Sequence, residues 1–171
     1  YDELTQDVGY EKRAAFVEKL FLRSHIPVHT VLDLACGAGA MVDRLARPGR
    51  TVVGLDRAIE ELEEAQRRGR GPLVQGHASY LPFADNSFDA VVTSLGIAVV
   101  ADRPRFLAEA ARVLRPGGAA FILEFTQPAW WMRPLYYLYL KTFLPLVAWA
   151  TTGDRKAYEY LAGSIASYPT Q

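Results

Sequence analysis

A glycine-rich segment follows a short apolar run in the first quarter of the chain and has the composition of a ligand-binding loop. It reads Val-Leu-Asp-Leu-Ala-Cys-Gly-Ala-Gly over residues 31–39. Gly37 and Gly39 allow a tight turn and let the backbone lie against a ligand, because no Cβ stands in the way. A dinucleotide-binding fingerprint would need a third glycine where Val42 stands, so NAD is disfavoured. Taken alone, the segment also fits a strand-to-helix turn that only needs glycine.

An acidic residue, Asp56, stands directly after the next apolar run, residues 51–55. A carboxylate at the end of the second strand can accept hydrogen bonds from both hydroxyls of an adenosine ribose. By itself, an acidic residue in this place is more often a helix cap. A glycine loop and a strand-end acid in this order together favour a cofactor that contains adenosine.

The elements that must position these residues follow from an alternation of short apolar runs with amphipathic segments. We predict helices over residues 10–23, 40–46, 58–68 and 104–114, and strands over 31–34, 51–55, 73–74, 90–93 and 120–125, with a turn at 115–118. Strands that alternate with such helices predict an α/β fold with a doubly wound, mainly parallel sheet and helices on both faces. Ligands of these sheets bind at the carboxyl ends of the strands, so each loop after a strand is a candidate site.

The composition argues against several other classes of function. The chain has 171 residues, with 19 Lys and Arg against 19 Asp and Glu, and this balance disfavours a nucleic-acid partner. A single cysteine, Cys36, excludes a disulfide framework and a multi-cysteine metal site. Since only three histidines accompany it, no metal site is predicted. At this length we expect one domain over residues 1–171.

Several longer stretches of the sequence match the motifs of a known family. They are residues 31–39, 54–56, 81–89, 111–118 and 123–125 and, most specific, the tail 153–161 followed by Ser164 and Ile165. In these stretches the chain resembles class I S-adenosylmethionine-dependent methyltransferases, and within that class the C-methyltransferases of ubiquinone and menaquinone biosynthesis. The resemblance implies a Rossmann-like methyltransferase fold with strand order 3-2-1-4-5. We expect the family's last two strands to be absent, because the family supplies them from residues beyond the position of Gln171.

The resemblance also implies S-adenosylmethionine as the cofactor and assigns residues that hold it. These residues stand at or just after strand ends: Asp33, Ala35, Gly37, Ala38, Asp56, Arg57, His77, Ala78 and Ser94. The loop 35–39 is expected to lie against the methionine moiety, Asp56 to hold the ribose, and Arg57 to lie beside the adenine. His77 departs from the Asn or Asp that the family carries near the adenine.

The catalytic step is harder to assign from the residues. An unperturbed phenol titrates at about 10, so methylation of a quinol ring carbon benefits from a base or a cation beside the phenolate. The candidates are Tyr1, Asp154 and Tyr158, of which the last two also fit structural roles as a helix cap and a packing aromatic. Two departures concern the same step: segment 3–13 lacks the family's Asn, His and Trp, and Ala98-Val99 replaces an Arg-Asn pair.

The predicted function is methyl transfer from S-adenosylmethionine to a small lipophilic substrate, a prenylated benzoquinol or naphthoquinol. Because of the two departures, two alternatives stay open. One is a methyltransferase of another small apolar acceptor, and the other is a cofactor-binding protein without catalysis. The expected location is cytoplasmic.

The region after the fifth predicted strand is expected to serve the substrate. Residues 126–170 should form mainly helices, as a lid on the substrate side. Seven aromatic residues lie within 129–149, which fits either a helix that covers the sheet or an apolar wall for the substrate. In the second case Arg133 and Lys141 would face lipid headgroups. Peripheral contact with the inner face of a membrane and a homo-oligomer therefore stay open.

Overall fold

The apolar runs of the sequence form one parallel sheet. In the computed structural model the strands are β1 Thr30–Leu34, β2 Thr51–Asp56, β3 Leu73–Gln75, β4 Phe88–Ser94 and β5 Leu114–Leu123. They pair in the order β3-β2-β1-β4-β5, with every neighbouring pair parallel. This confirms the predicted sheet and its strand order. The structure describes the backbone of residues 2–97, 100–124, 130–139 and 142, and the side chains of this set from residue 9 onward.

The helices that connect the strands are α1 Asp2–Ser24, α2 Ala40–Leu45, α3 Ile59–Arg67 and α4 Arg103–Val113. Helix α1 begins at Asp2 rather than at residue 10, and the other bounds lie within two residues of the predicted ones. The start of α4 shows why its bound is sharp. The side chain of Asp102 accepts a hydrogen bond from the backbone N–H of Arg105 at 2.9 Å, and Pro104 stands in the first turn.

Helices cover both faces of the sheet, because successive side chains of a strand point to opposite sides. One face packs strand residues against α1 and α2, in a cluster of Ala14, Val17, Phe21, Val31, Met41, Val42, Leu45, Val52, Ala90 and Val92. The other face packs against α4, in a cluster of Leu32, Leu34, Leu55, Leu81, Phe88, Val91, Phe106, Ala110 and Val113. The chain order reverses between β1 and β4, so the carboxyl ends of these two strands border the expected ligand crevice.

The segment 81–89, a motif of the predicted family, is fastened to α4 by Arg112. The guanidinium donates to the backbone oxygens of Leu81 at 3.0 Å and Phe83 at 2.9 Å. It also pairs with Glu109, whose carboxylate accepts the N–H of Leu81 at 2.8 Å. This motif therefore serves to hold a long connection against the sheet.

The fifth strand differs from the prediction at its start. It begins at Leu114, which pairs with Phe88, and the regular pairing resumes where Ala90 meets Ala119. The predicted turn at 115–118 is thus an irregularity within β5, and Gly117 takes a φ of 83° there. The predicted end of the strand at residue 125 lies outside the described residues.

The chain divides into two compact units, Tyr1–Glu124 and Phe125–Gln171. Within the described part of the second unit, a turn at 130–132 leads into the short helix α5 Arg133–Leu138. The predicted helical lid over 126–170, and the single domain over 1–171, stay predictions. Among the residues that the structure describes, no helix has the length and apolar character needed to cross a bilayer.

Candidate functional site

The chain leaves β1 through a turn of unusual backbone conformation. Ala35 has a φ of 58°, and Gly37 and Gly39 have φ values of 51° and 72°. A residue with a Cβ seldom adopts this left-handed region, so glycine suits positions 37 and 39 while Ala35 is strained. Arg70 fixes the turn from outside, because its Nη1 donates to the backbone oxygen of Ala38 at 2.8 Å. Strain held in this way at a strand end is typical of functional sites.

The carboxylate of Asp56 joins the turn after β1 to the end of β2. Its Oδ2 accepts the backbone N–H of Gly37 at 2.8 Å, and its Oδ1 accepts that of Ala58 at 3.0 Å. An ionised carboxylate has about four acceptor positions, so two are left for the hydroxyls of a ligand. Asp56 does not cap α3, whose N-cap is Ala58 without a side-chain hydrogen bond, so the ligand-binding role is the one that its geometry leaves.

A cleft of about 150 Å³ opens beside Asp56. It is lined by Ala35, Leu55, Asp56, Arg57, Gly76, His77, Ala78, Val100 and Ala101. Of the predicted cofactor-binding residues, the structure thus gathers Ala35, Asp56, Arg57, His77 and Ala78 around one space. The lining combines apolar walls with a carboxylate and an imidazole, as in typical small-molecule sites.

The environment of His77 selects one tautomer of the ring. Its Nδ1 lies 3.1 Å from the backbone nitrogen of Ser79, which can only donate. Nδ1 therefore accepts, and the proton of the neutral ring belongs on Nε2. His77 is an exposed residue of the cleft lining, so the Nε2–H can be offered to an acceptor in a ligand.

Two buried polar atoms near the carboxyl end of the sheet have no partner among the described residues, Asp33 Oδ2 and Thr93 Oγ1. Asp33 is only 1% exposed. Burial, together with the negative charge of Asp56, raises the pKa of Asp33 from 3.8 to about 8. Buried polar groups normally have hydrogen-bond partners, so an atom without one suggests that a partner is supplied by a ligand or by water. A ligand that carries a cation or a donor would supply the missing partner of Asp33.

Ser94, at the end of β4, does not line this cleft but contacts α1. Its hydroxyl accepts a hydrogen bond from Arg13 Nη1 at 3.2 Å. Arg13 matches none of the Asn, His and Trp that the family carries in segment 3–13, so the family resemblance does not point to it. The helical spacing of Tyr10, Ala14 and Val17 places Arg13 beside the buried face of α1. This spacing is the feature of the sequence that indicates a partly buried Arg13.

Cys36, within the turn after β1, has surroundings that disfavour a thiolate. Its thiol is partly buried, and this burial, with Asp33 and Asp56 nearby, raises its pKa well above the usual range. A thiol with a raised pKa forms little of the reactive thiolate. In the described ranges, no group of His, Cys, Asp and Glu side chains could hold a metal ion.

The predicted catalytic residues Tyr1, Asp154 and Tyr158 lie outside the described residues, as does the pair Ala98-Val99. Their roles stay predictions. The structure therefore bears on the cofactor side of the site.

The residues present fit S-adenosylmethionine on three observations. The cleft beside Asp56 has a lining suited to an adenosine. The carboxylate keeps free acceptor positions for the ribose hydroxyls. Asp33 has a buried oxygen without a partner, and the methionine moiety carries an ammonium group that can supply one.

The sequence comparisons agree with this geometry. The sequence profile of the ubiE/COQ5 methyltransferase family matches residues 9–171. The chain belongs to this family. The family resemblance predicted from the motifs is thereby confirmed, and with it the resemblance to S-adenosylmethionine-dependent methyltransferases of quinone biosynthesis.

Two curated relatives of this family member illustrate the extent of the match. A demethylmenaquinone methyltransferase of Beutenbergia cavernae is 40% identical over 99% of this chain and 72% of its own length. A demethylmenaquinone methyltransferase of Streptomyces avermitilis is 41% identical over 85% of this chain and 64% of its own length. The chain thus spans about two thirds of the length of these relatives.

The fold of this family member is also found in solved structures. A S-adenosylmethionine-dependent methyltransferase from Clostridium acetobutylicum superposes with a TM-score of 0.65, over 84% of this chain and 58% of that one, at 24% identity. This likeness concerns the fold, and it confirms the predicted Rossmann-like methyltransferase architecture.

Proposed function

We propose that this chain transfers the methyl group of S-adenosylmethionine to a ring carbon of a prenylated naphthoquinol, the reduced form of a demethylmenaquinone. The observation that carries the proposal is the 40% identity over 99% of the chain to a demethylmenaquinone methyltransferase. The family match over residues 9–171 and the cleft beside Asp56 support the same reaction. Among the two quinol classes predicted from the sequence, the relatives favour the naphthoquinol.

The residues of the site would bind the cofactor from both of its ends. The bound cofactor supplies an electrophilic methyl group on a sulfonium. Asp56 accepts the ribose hydroxyls on its free acceptor positions, while its bond to Gly37 keeps the turn after β1 in place. His77 donates its Nε2–H to a ring nitrogen of the adenine, with Arg57 and Ala78 beside the same ring. Asp33 receives the ammonium of the methionine end in its buried position.

Orientation is the main contribution that such a site makes to methyl transfer. A new carbon–carbon bond forms as the carbon–sulfur bond breaks and S-adenosylhomocysteine leaves, and the ring carbon then releases its proton to a base or to water. Holding the reacting atoms in line replaces an improbable encounter by a single bound geometry. Tyr1, Asp154 and Tyr158 stay the proposed candidates for the group that assists removal of the proton from the quinol hydroxyl.

The prenylated acceptor is lipophilic and dissolves in membranes. A cytoplasmic enzyme would therefore bind it at the inner face of a membrane. In the second unit Trp130, Trp131 and Leu135 are 79%, 66% and 70% exposed. Aromatic side chains of this kind partition into the headgroup region of a bilayer. Sedimentation with anionic lipid vesicles would test this part, and loss of binding in a Trp130→Ser, Trp131→Ser double variant is the expected result.

Methyl transfer is tested with methyl-deuterated S-adenosylmethionine and a chemically reduced demethylmenaquinone of short prenyl chain. We expect a labelled methyl group on the naphthoquinol ring in the mass spectrum, and less on a matched benzoquinol. Calorimetry with S-adenosylhomocysteine controls for an intact cofactor site. Cofactor binding without transfer to either quinol would contradict the proposal.

A second class of methyl acceptor, small apolar molecules other than quinols, is also proposed because Ala98-Val99 replaces the family's Arg-Asn pair. A screen of small apolar acceptors with the same labelled cofactor tests it. Transfer to one of these and not to the quinols would favour the other small acceptor. Binding without any transfer would favour a cofactor-binding protein without catalysis.

A further inference from the structure

The guanidinium of Arg13 reaches from α1 to the carboxyl end of β4. Its Nη1 donates to Ser94 Oγ at 3.2 Å, and its Nε donates to the backbone oxygen of Gly9 at 3.2 Å. Its Cζ lies 4.2 Å from the centre of the Tyr10 ring, so the guanidinium stacks on the aromatic face. These contacts hold the charged group partly buried at the strand end that borders the ligand crevice.

Arg13 has no carboxylate partner within the described ranges, and its Nη2 makes no hydrogen bond there. Two other partly buried guanidinium groups pair with carboxylates, Arg50 with Glu18 and Arg112 with Glu109, while that of Arg70 donates to the backbone oxygen of Ala38. A partly buried charge normally has a counter-charge, because removing it from water is costly. The guanidinium of Arg13 is therefore placed to receive an anion.

Helix α1 carries a glycine, Gly9, at a position where a Cβ would press on this group. A Cβ built on Gly9 would lie 3.1 Å from Arg13 Nη2, which is closer than an ordinary contact. Glycine is also one of the least favourable residues in a helix interior. Its presence one turn before Arg13 thus allows the guanidinium to fold back toward Ser94.

The same face of the sheet carries a buried carboxyl group, that of Asp33. Asp33 shares its side of β1 with Val31, and Ser94 shares its side of β4 with Val92; both valines pack in the cluster that includes α1. Asp33 keeps one buried oxygen without a partner. Neither Arg13 nor Asp33 forms an ion pair among the described residues, so a cation and an acid without ion-pair partners lie on one face of the sheet, at the carboxyl ends of the neighbouring strands β4 and β1.

A guanidinium and a carboxyl group in this arrangement match the two ends of a zwitterion. The methionine end of the cofactor is one, since it carries an ammonium and a carboxylate on one carbon. We infer that Arg13 binds the α-carboxylate of S-adenosylmethionine, with Ser94 and Tyr10 orienting its guanidinium. This inference rests on the proposed cofactor but does not depend on the methyl acceptor.

The test compares the affinities of S-adenosylmethionine and its decarboxylated form, which keeps the ammonium and lacks the carboxylate. We expect the protein to bind the intact cofactor at least about tenfold more tightly, as for hydrogen bonds between charged groups. In Arg13→Gln this ratio should fall to near one, because only the affinity for the intact cofactor declines. Asp33→Asn should weaken both ligands and leave the ratio as it was.

Two further variants separate this role from a general effect on folding. Gly9→Ala favours the helix but crowds the guanidinium, so it should lower the ratio while the melting temperature holds or rises. Arg23→Gln changes an exposed arginine in the last turn of the same helix and should change nothing. A wild-type ratio in Arg13→Gln, measured on protein with an unchanged melting temperature, would overturn the inference. This test measures only cofactor binding. Its result therefore remains valid even if the protein does not methylate a quinol.

Discussion

The carboxyl groups at the two ends of the central strands differ in their hydrogen bonding and in the direction of their pKa shifts. At the amino end, Asp89 accepts hydrogen bonds from His29 N, Thr30 N and Thr30 Oγ1 on one oxygen and from Arg115 on the other. Burial alone would raise the pKa of Asp89, but these bonds lower it from 3.8 to about 2. At the carboxyl end, Asp33 is more deeply buried, has an oxygen without a partner, and has a pKa of about 8.

The backbone differs between the two ends in the same sense. Ala35 and Leu95, just after β1 and β4, have φ values of 58° and 64° although neither is glycine. Before the same two strands, positive φ values fall on His25 and Asn86, whose residue types adopt this region more readily. A Cβ on Gly96 would lie 2.5 Å from Thr93 Oγ1, so these loops are also closely packed. One end of the sheet is therefore complete as a folded structure. The other holds strain and unmet polar groups that a ligand can satisfy.

The largest effect that this contrast predicts is on stability, at the amino end. Asp89→Ala should lower the free energy of unfolding by about 3 kcal/mol or more, because it leaves several donors without an acceptor. Since the folded pKa of Asp89 is lowered, its contribution is present above pH 3.8 and is lost as the pH falls through about 2. Denaturant unfolding at pH 7 and at low pH measures both.

Asp85→Ala is the matched control for that variant. Asp85 is 67% exposed and pairs only with Arg112, so its loss should cost about 1 kcal/mol at most. Affinity for S-adenosylhomocysteine should be unchanged in both variants. Equal stability losses for the two would contradict the contrast between the ends of the sheet.

The next effect is on binding, at Asp56. Asp56→Ala should weaken S-adenosylhomocysteine by about 1.5–3 kcal/mol, the range for hydrogen bonds to a charged group. Part of this loss comes from the turn after β1, since Gly37 N loses its acceptor. Calorimetry measures the affinity, and Asp56→Asn should recover part of it by keeping one acceptor oxygen. Unchanged affinity in the alanine variant would remove Asp56 from the ligand site.

A third prediction concerns the pH dependence that Asp33 causes. The folded pKa of Asp33 is raised, so its own contribution to the stability of the ligand-free protein is fully present below pH 3.8 and is lost as the pH rises through about 8. Asp33→Asn should remove this slope and stabilise the ligand-free protein at pH 9 by about 1–3 kcal/mol, the cost of an unsatisfied buried group. Thermal unfolding across pH measures it, and a slope that survives in Asp33→Asn would refute the assignment.

The sequence predicted the parts of this molecule that depend on local patterns. The β1 run and its glycines predicted the turn, and Asp56 was placed at its strand end by the length of the preceding run. In contrast, Arg13 and Ser94 meet across 81 positions of the chain, a separation at which no periodicity reports contact. The tautomer of His77 likewise follows from one backbone N–H that only the folded loop brings near.

The start of β5 shows a conflict between two local signals. Arg115, Pro116, Gly117 and Gly118 have turn-forming sequence, and the prediction ended the preceding helix with a turn there. The structure forms a strand from Leu114 onward because that residue pairs with Phe88 in the neighbouring strand. Pairing between strands distant in sequence outweighed the local preference, and it reduced the turn to an irregularity.

The smallest expected effect is at His77, at the outer edge of the cleft. His77→Asn should keep turnover at saturating cofactor and weaken the cofactor by no more than about 1.5 kcal/mol, the upper value for a neutral hydrogen bond. The asparagine oxygen can accept from Ser79 N as Nδ1 does, so the loop should keep its shape. His25→Asn, an exposed histidine at the amino side with a φ of 56° that asparagine tolerates, should change neither quantity. Steady-state kinetics over a range of cofactor concentrations separates the two effects. If turnover at saturation fell strongly while calorimetry showed normal cofactor affinity, His77 would belong to the chemical step, and the carboxyl end would supply a base as well as a binding site.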